Sequence, residues 1–164
     1  MKKDCPIRGF TIVELLVVIG MFAILFAFST VNLFNIQPST SYATDESLII
    51  SDIREQAIRA MSGDSSSVAS ITHYDWGIYF ETSRYTLFRG SIYNSSDPSN
   101  YVVNLDSGVQ FSVIDLPSQS IVFSRVTGEV VGFQATHNSV TLQNTFTSQQ
   151  KIISINAYGV VSVN

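Results

Sequence analysis

From Phe10 to Phe28 the chain is apolar at nearly every position, and polar residues return only around Asn32 and Asn35. A segment apolar on every side has no face to turn toward water, so the pattern predicts a helix bounded by lipid or by other apolar helices. At about 1.5 Å per residue it would be roughly 28 Å long, close to a ~30 Å hydrocarbon core. "QPSTSY" (37–42) breaks this pattern at Pro38, because proline lacks the helical N–H donor. A second helix is predicted from a cap at Thr44 or Asp45 to about Met61, ended by Gly63. Ile50, Ile53, Ala57 and Met61 recur at three- and four-residue spacing as one apolar stripe that would pack on a sheet, and Glu55 and Arg59 form an i,i+4 pair on the polar side.

From Val68 the period shortens to two. "WGIYFE" (76–81) and "RYTLFR" (84–89) flank Thr82-Ser83 and predict a hairpin. "VQFSVI" (109–114), "SIVFSRV" (120–126) and "VVGFQA" (130–135) follow, the last two joined by a turn at Thr127-Gly128-Glu129. "SVTLQ" (139–143), a run at 150–155, a turn at Ala157-Tyr158-Gly159 and "VVSV" (160–163) complete the chain, while "NSSDPSN" (94–100) is an exposed polar loop. Eight or nine short strands predict an antiparallel arrangement in two packed sheets. The fold class expected is α+β, an N-terminal transmembrane and stem helix followed by a β-rich globular domain.

Charge sets the orientation. Lys2, Lys3 and Arg8 precede the apolar run, and no Lys or Arg stands between Arg8 and Arg54. The N-terminus is therefore expected in the cytoplasm and the rest of the chain on the far side of the membrane. From residue 42 onward six Lys and Arg face eleven Asp and Glu, a net charge of −5. Such a domain repels phosphate backbones at long range, so nucleic acid is not the default partner, although Arg84, Arg89 and Arg125 leave open a local basic face. The single cysteine, Cys5, cannot form an intrachain disulfide and precedes the apolar run, where it reads as an incidental residue.

One residue disturbs the apolar run. Glu14 places a carboxylate near its start, at a cost on the order of 3 kcal/mol in a membrane core. Three readings of the segment stand open: a secretory signal cut after Ser29, with Ala27 and Ser29 as its small pair; an unprocessed anchor; and a leader cut ahead of the apolar run. A signal or a plain anchor gains nothing from Glu14. A purely structural role is a capping box, Thr11-x-x-Glu14, in the first helical turn.

"RGFTIVELLVVIGMFAIL" (8–25) resembles the N-terminal motif of type IV prepilins and type II secretion pseudopilins. That motif has a short basic leader, Gly before the cut, Phe after it and Glu as fifth residue of the mature chain. Gly9, Phe10 and Glu14 fill those places. The resemblance implies a leader at 1–9, a transmembrane and assembly helix at 10–36, a stem and second helix at 37–63 and a β-rich domain at 64–164. It implies a prepilin peptidase that cuts between Gly9 and Phe10 and methylates the new amine of Phe10. It also implies a single-pass protein of the bacterial inner membrane, N-terminus cytoplasmic, that engages an assembly platform and other subunits, with Glu14 meeting the amine of a neighbour's Phe10. Pairing makes an otherwise expensive carboxylate tolerable and fixes register between helices. Subunits of this kind often carry a proline inside the anchor helix; here the first after the cut is Pro38. "WGIYF", "IVFSRVTGEV" and "ISINAYGVVSV" further resemble the GspH/FimT type of minor pilin or pseudopilin, with a major pilin or pseudopilin as the competing assignment.

No catalytic pattern accompanies these features: G-x-S-x-G, H-E-x-x-H and the P-loop are all missing, and no Cys follows Phe10. The expectation is a structural protein without enzyme activity, cofactor or metal, with a filament-tip adhesin or DNA receptor as the alternative and an ordinary secreted protein behind it. His73 and His137 read as two separate imidazoles rather than a metal pair. Asn94 and Asp97 offer oxygens to calcium in a loop without a dense carboxylate pattern. Asn94-Ser95-Ser96 matches a glycosylation triplet without bacterial significance, and Trp76 reads as a core or half-buried aromatic.

Overall fold

The structure, a computed structural model, describes residues 10–62 and 74–164, the side chains of residues 28–40 excepted. The chain divides into two compact units, 1–37 and 38–164.

Helix α1 spans Ile12–Ser62 without interruption. The break expected at 37–42, and with it a separate second helix capped at Thr44 or Asp45, is therefore corrected. A proline removes one N–H, and its fixed φ is itself helical, so the helix loses one rung while the turns on either side persist. The turn that follows is fastened from outside: Tyr42 is buried and its hydroxyl donates to the Leu142 carbonyl at 3.1 Å. Asp45 does not cap the helix; its carboxylate accepts the Asp106 N–H at 2.9 Å.

Within the first unit, every large apolar side chain described from Phe10 to Phe26 is exposed, from 40% at Val18 to 79% at Ile12. Among the described residues no helix is long and apolar enough to cross a membrane. The described side chains of the apolar run end at Ala27, so the part of α1 they cover, from Ile12, is roughly 24 Å long against a ~30 Å core.

The second unit contains eight strands: β1 (Trp76–Glu81), β2 (Arg84–Arg89), β3 (Tyr101–Asn104), β4 (Val109–Asp115), β5 (Ser120–Phe123), β6 (Ser139–Asn144), β7 (Gln150–Ile155) and β8 (Val161–Val163). They form two four-stranded antiparallel sheets, ordered β3-β2-β1-β5 and β4-β6-β7-β8. The β1–β2 hairpin turns at Thr82-Ser83 as predicted, with Glu81 opposite Arg84. Three expectations are corrected. β3 arises directly after the polar loop. The strand from 120 stops at Phe123, because the chain then turns and Val126, at φ 77°, donates its N–H to the Ala60 carbonyl. Residues 130–135 are not a strand: Val130 makes one isolated bridge to Phe123, and Gly132, at φ 65°, turns the chain away. The turn at 127–129 forms around Gly128, and the closing turn around Asn156, whose carboxamide oxygen accepts the N–H groups of Tyr158 and Val160.

One core joins α1 to both sheets. Ile49, Ile53, Ala57 and Ala60 pack with Ile78 and Phe80 of β1, Tyr85 of β2, Phe111 of β4, Phe123 of β5 and Leu142 of β6. Burying an isoleucine this completely is worth about 2 kcal/mol. Phe80 and Phe111 meet edge-on across the two sheets, centroids 5.2 Å apart. The predicted helix stripe is displaced: Ile53 and Ala57 are buried, but Ile50 is only partly so and Met61 is 45% exposed. Ile49, Asp52, Gln56 and Ala60 fill the seam instead. Glu55 and Arg59 pair at 2.6 Å on the outer side, and Arg59 also lies over the half-buried Trp76 ring.

Candidate functional site

The functional residues read from the sequence gather at the start of α1. Gly9 and the leader lie outside the described residues; Phe10 and Glu14 lie within them. Phe10 precedes the helix and is 77% exposed. Thr11 caps it: its hydroxyl oxygen accepts the Glu14 N–H at 3.2 Å and its carbonyl accepts the Leu15 N–H at 3.2 Å. A β-branched hydroxyl residue suits this place because it satisfies an N–H that has no partner inside the helix.

Only one half of a capping box is formed. The backbone of Glu14 is used, but its carboxylate has no partner among the described residues and stands exposed. Its neighbours at three- and four-residue spacing are Phe10, Thr11, Val17 and Val18, none of them a cation. The charge is thus not consumed by the cap. It stands on an apolar surface, at the positive end of the helix dipole, where an anion is favoured but gains less than a membrane core would cost it. A cation brought by another chain, or a new amine at Phe10, would complete it.

The other candidates separate. Arg84 and Arg89 stand five residues apart on β2 and so point to opposite faces. Arg84 is neutralised by a two-point contact with Glu81, whose carboxyl that hydrogen bond holds below its ordinary range. Arg89 lies over the Tyr74 ring at 4.7 Å. Arg84, Arg89 and Arg125 therefore do not share one free basic face. His73 lies outside the described residues, and His137 Nδ1 is 2.5 Å from Asp115 Oδ1. In the polar loop, Asp97 Oδ1 accepts from both the N–H and the hydroxyl of Ser99, which lowers its pKa, and Asn94 Oδ1 accepts the Ser96 N–H. Those oxygens stabilise turns. Among the described residues no three His, Cys, Asp or Glu side chains gather in a way that could hold a metal ion.

Sequence reasoning missed the polar seam of the second unit. Tyr85 donates its hydroxyl to Asp52 at 2.6 Å, and Lys151 pairs with Glu46. Burial raises the pKa of both Asp45 and Asp52, against the lowering effect of the Asp106 N–H on one and the Tyr85 hydroxyl on the other. The signal was present as Asp45, Asp52 and Gln56 at helical spacing, but a stripe is found by its apolar members and these are polar.

The model of the prokaryotic N-terminal methylation motif matches residues 6–30. No curated protein and no solved structure matches the chain. The matched segment contains Gly9, Phe10, the Thr11 cap and Glu14. It gives the chain the N-terminal signature of a type IV pilin-like precursor, which implies processing by a prepilin peptidase, assembly with pilin-like subunits and membrane anchoring through the N-terminal helix.

Proposed function

We propose that this chain is a minor pilin or pseudopilin of the GspH/FimT type, a structural rather than catalytic subunit that primes or joins a type IV pilus or a type II secretion pseudopilus. In this reading a prepilin peptidase cuts between Gly9 and Phe10 and methylates the new amine. The mature chain waits in the inner membrane with its N-terminus toward the cytoplasm and its β-rich unit on the far side. An assembly platform then lifts it into a filament, where apolar helices pack and each Glu14 meets the amine of a neighbouring Phe10.

The observation that carries this reading is the free Glu14 carboxylate on an otherwise apolar helix surface. It is costly in lipid, unused by its own helix and complemented by a neighbour's amine.

The test compares wild type, Glu14→Gln and Glu14→Val in sheared or cross-linked filament fractions. Both variants insert and are cleaved, since removing the charge improves a membrane helix by a few kcal/mol. Both fail to enter filaments. Wild-type recovery of both would sink the ion-pair role, and a variant that is never cleaved would move Glu14 to the peptidase step.

A further inference from the structure

A cavity of about 300 Å³ is lined by Tyr79 of β1, by Ser120, Ile121 and Val122 of the edge strand β5 and by Ile155 of β7. That volume lies at the lower end of the range for small-molecule sites. Ile78 and Phe80 of β1 point into the core, so alternation turns Tyr79 outward as part of the floor. The loop that follows β2 closes one side with Tyr93, whose ring stacks on Tyr79 at 4.1 Å with planes 10° apart. The 3₁₀ turn Pro117–Gln119 and the segment 130–138 close the other sides.

Three features define what fits. No Lys, Arg, Asp or Glu lines the cavity. A phosphate, carboxylate or ammonium ligand would be desolvated without a matching charge, which is strongly unfavourable. Polar groups are nonetheless plentiful and unspent: the side chains of Ser91, Ser118 and Gln134 have no hydrogen-bond partner among the described residues, and His137 uses only Nδ1, on Asp115. Hydroxyls and amides that both donate and accept match a ligand whose own groups do the same. The third feature is strain. Ser118 and Gln119 are consecutive non-glycine residues at φ 52° and 54°, in the left-handed region, and the Tyr79 hydroxyl holds that turn by donating to Gln119 Oε1 at 3.0 Å. Such strain persists where the surroundings over-determine it, and it collects at ligand sites.

We propose that this cavity binds a neutral sugar, one or two rings of a glycan, with the Tyr79–Tyr93 pair as the apolar wall and Ser118, Gln134 and His137 as hydrogen-bonding partners. The site lies in the second unit, apart from the Phe10–Glu14 segment, and does not depend on how α1 is processed or assembled.

The test uses the full chain in a zwitterionic detergent without a sugar headgroup. Saturation-transfer NMR is recorded against maltose, lactose and N,N′-diacetylchitobiose, which separate glucan, galactoside and amino-sugar sources. Saturable transfer to at least one is expected. Gln134→Ala, at an exposed and unbonded side chain, leaves the fold intact and weakens binding about fivefold. Tyr93→Ala weakens it further, with Ile58→Ala on the outer side of α1 as an unchanged control. The proposal is overturned if none of the three sugars gives saturable transfer, if both cavity variants bind as wild type does, or if anionic sialyllactose is preferred to lactose.

Discussion

Tyr85 reaches from near the start of β2 to place its hydroxyl 2.6 Å from Asp52 on α1, both side chains withdrawn from solvent. The contact ties the helix to the sheet by a bond that only a donor of this length can make. Tyr85→Phe keeps the ring among Phe80 and Phe111 but leaves a buried carboxylate without its donor. A loss of about 1–3 kcal/mol is expected, read as a lower urea midpoint with unchanged slope. A change within error would show that water replaces the hydroxyl.

The same carboxylate makes stability depend on pH. Burial holds Asp52 and Asp45 above the ordinary carboxylate range. The native state then binds protons more tightly than the unfolded chain does, so the contribution to stability is negative at neutral pH. Stability rises as pH falls through the raised native values toward the ordinary one. Urea midpoints measured from neutral to mildly acidic pH should increase for wild type and stay flatter for the double variant Asp45→Asn with Asp52→Asn. Glu81 and Asp97, held below the ordinary range, act in the opposite direction and at lower pH. A wild-type midpoint that falls across the mildly acidic window would contradict this.

Gly77 tests the packing of β1. A methyl group at its Cα would lie 2.5 Å from the Phe88 ring and 2.8 Å from the Ile121 carbonyl oxygen. The ring can give way, but the carbonyl belongs to the neighbouring strand β5, so Gly77→Ala must push β1 and β5 apart. A cost of about 1–3 kcal/mol is expected in thermal or urea unfolding. A neutral substitution would mean that β5 moves freely.

Processing gives the fourth prediction. The mature protein begins at Phe10, and replacing Gly9 by a bulky residue leaves the leader attached. Intact-mass measurement of the membrane fraction distinguishes the outcomes. A mature N-terminus at Thr30 would restore the secretory-signal reading.

What could be read in advance follows the range over which each feature is determined. The β1–β2 hairpin and the Thr11–Glu14 start of the helix are set by neighbours a few residues apart, so they were legible. β3 was not: Tyr101–Asn104 is four residues long and has no buried position to create alternation. The run 130–135 misled in the other direction, since Val130 and Val131 have strand character but pair only once, with Phe123. Pro38 argued for a break that the contacts of Tyr42 outweigh. Asp45 read as a helix cap and Asp52 had no assigned role, because the groups that satisfy them, Asp106 and Tyr85, lie 61 and 33 residues away. The cavity draws on β1, β5, β7, two loops and a 3₁₀ turn, and no local pattern announces such a convergence.

The Thr11 cap has a consequence for the order of events. Thr11 itself supplies the oxygens that the Glu14 and Leu15 N–H groups need, so these two hydrogen bonds are made on the Phe10 side of the cut. On the proposed pathway, severing the bond ahead of Phe10 leaves these two bonds in place and adds a single positive charge one turn from Glu14. On that pathway the peptidase would act as an electrostatic trigger, supplying the positive charge that a neighbour's Glu14 can meet.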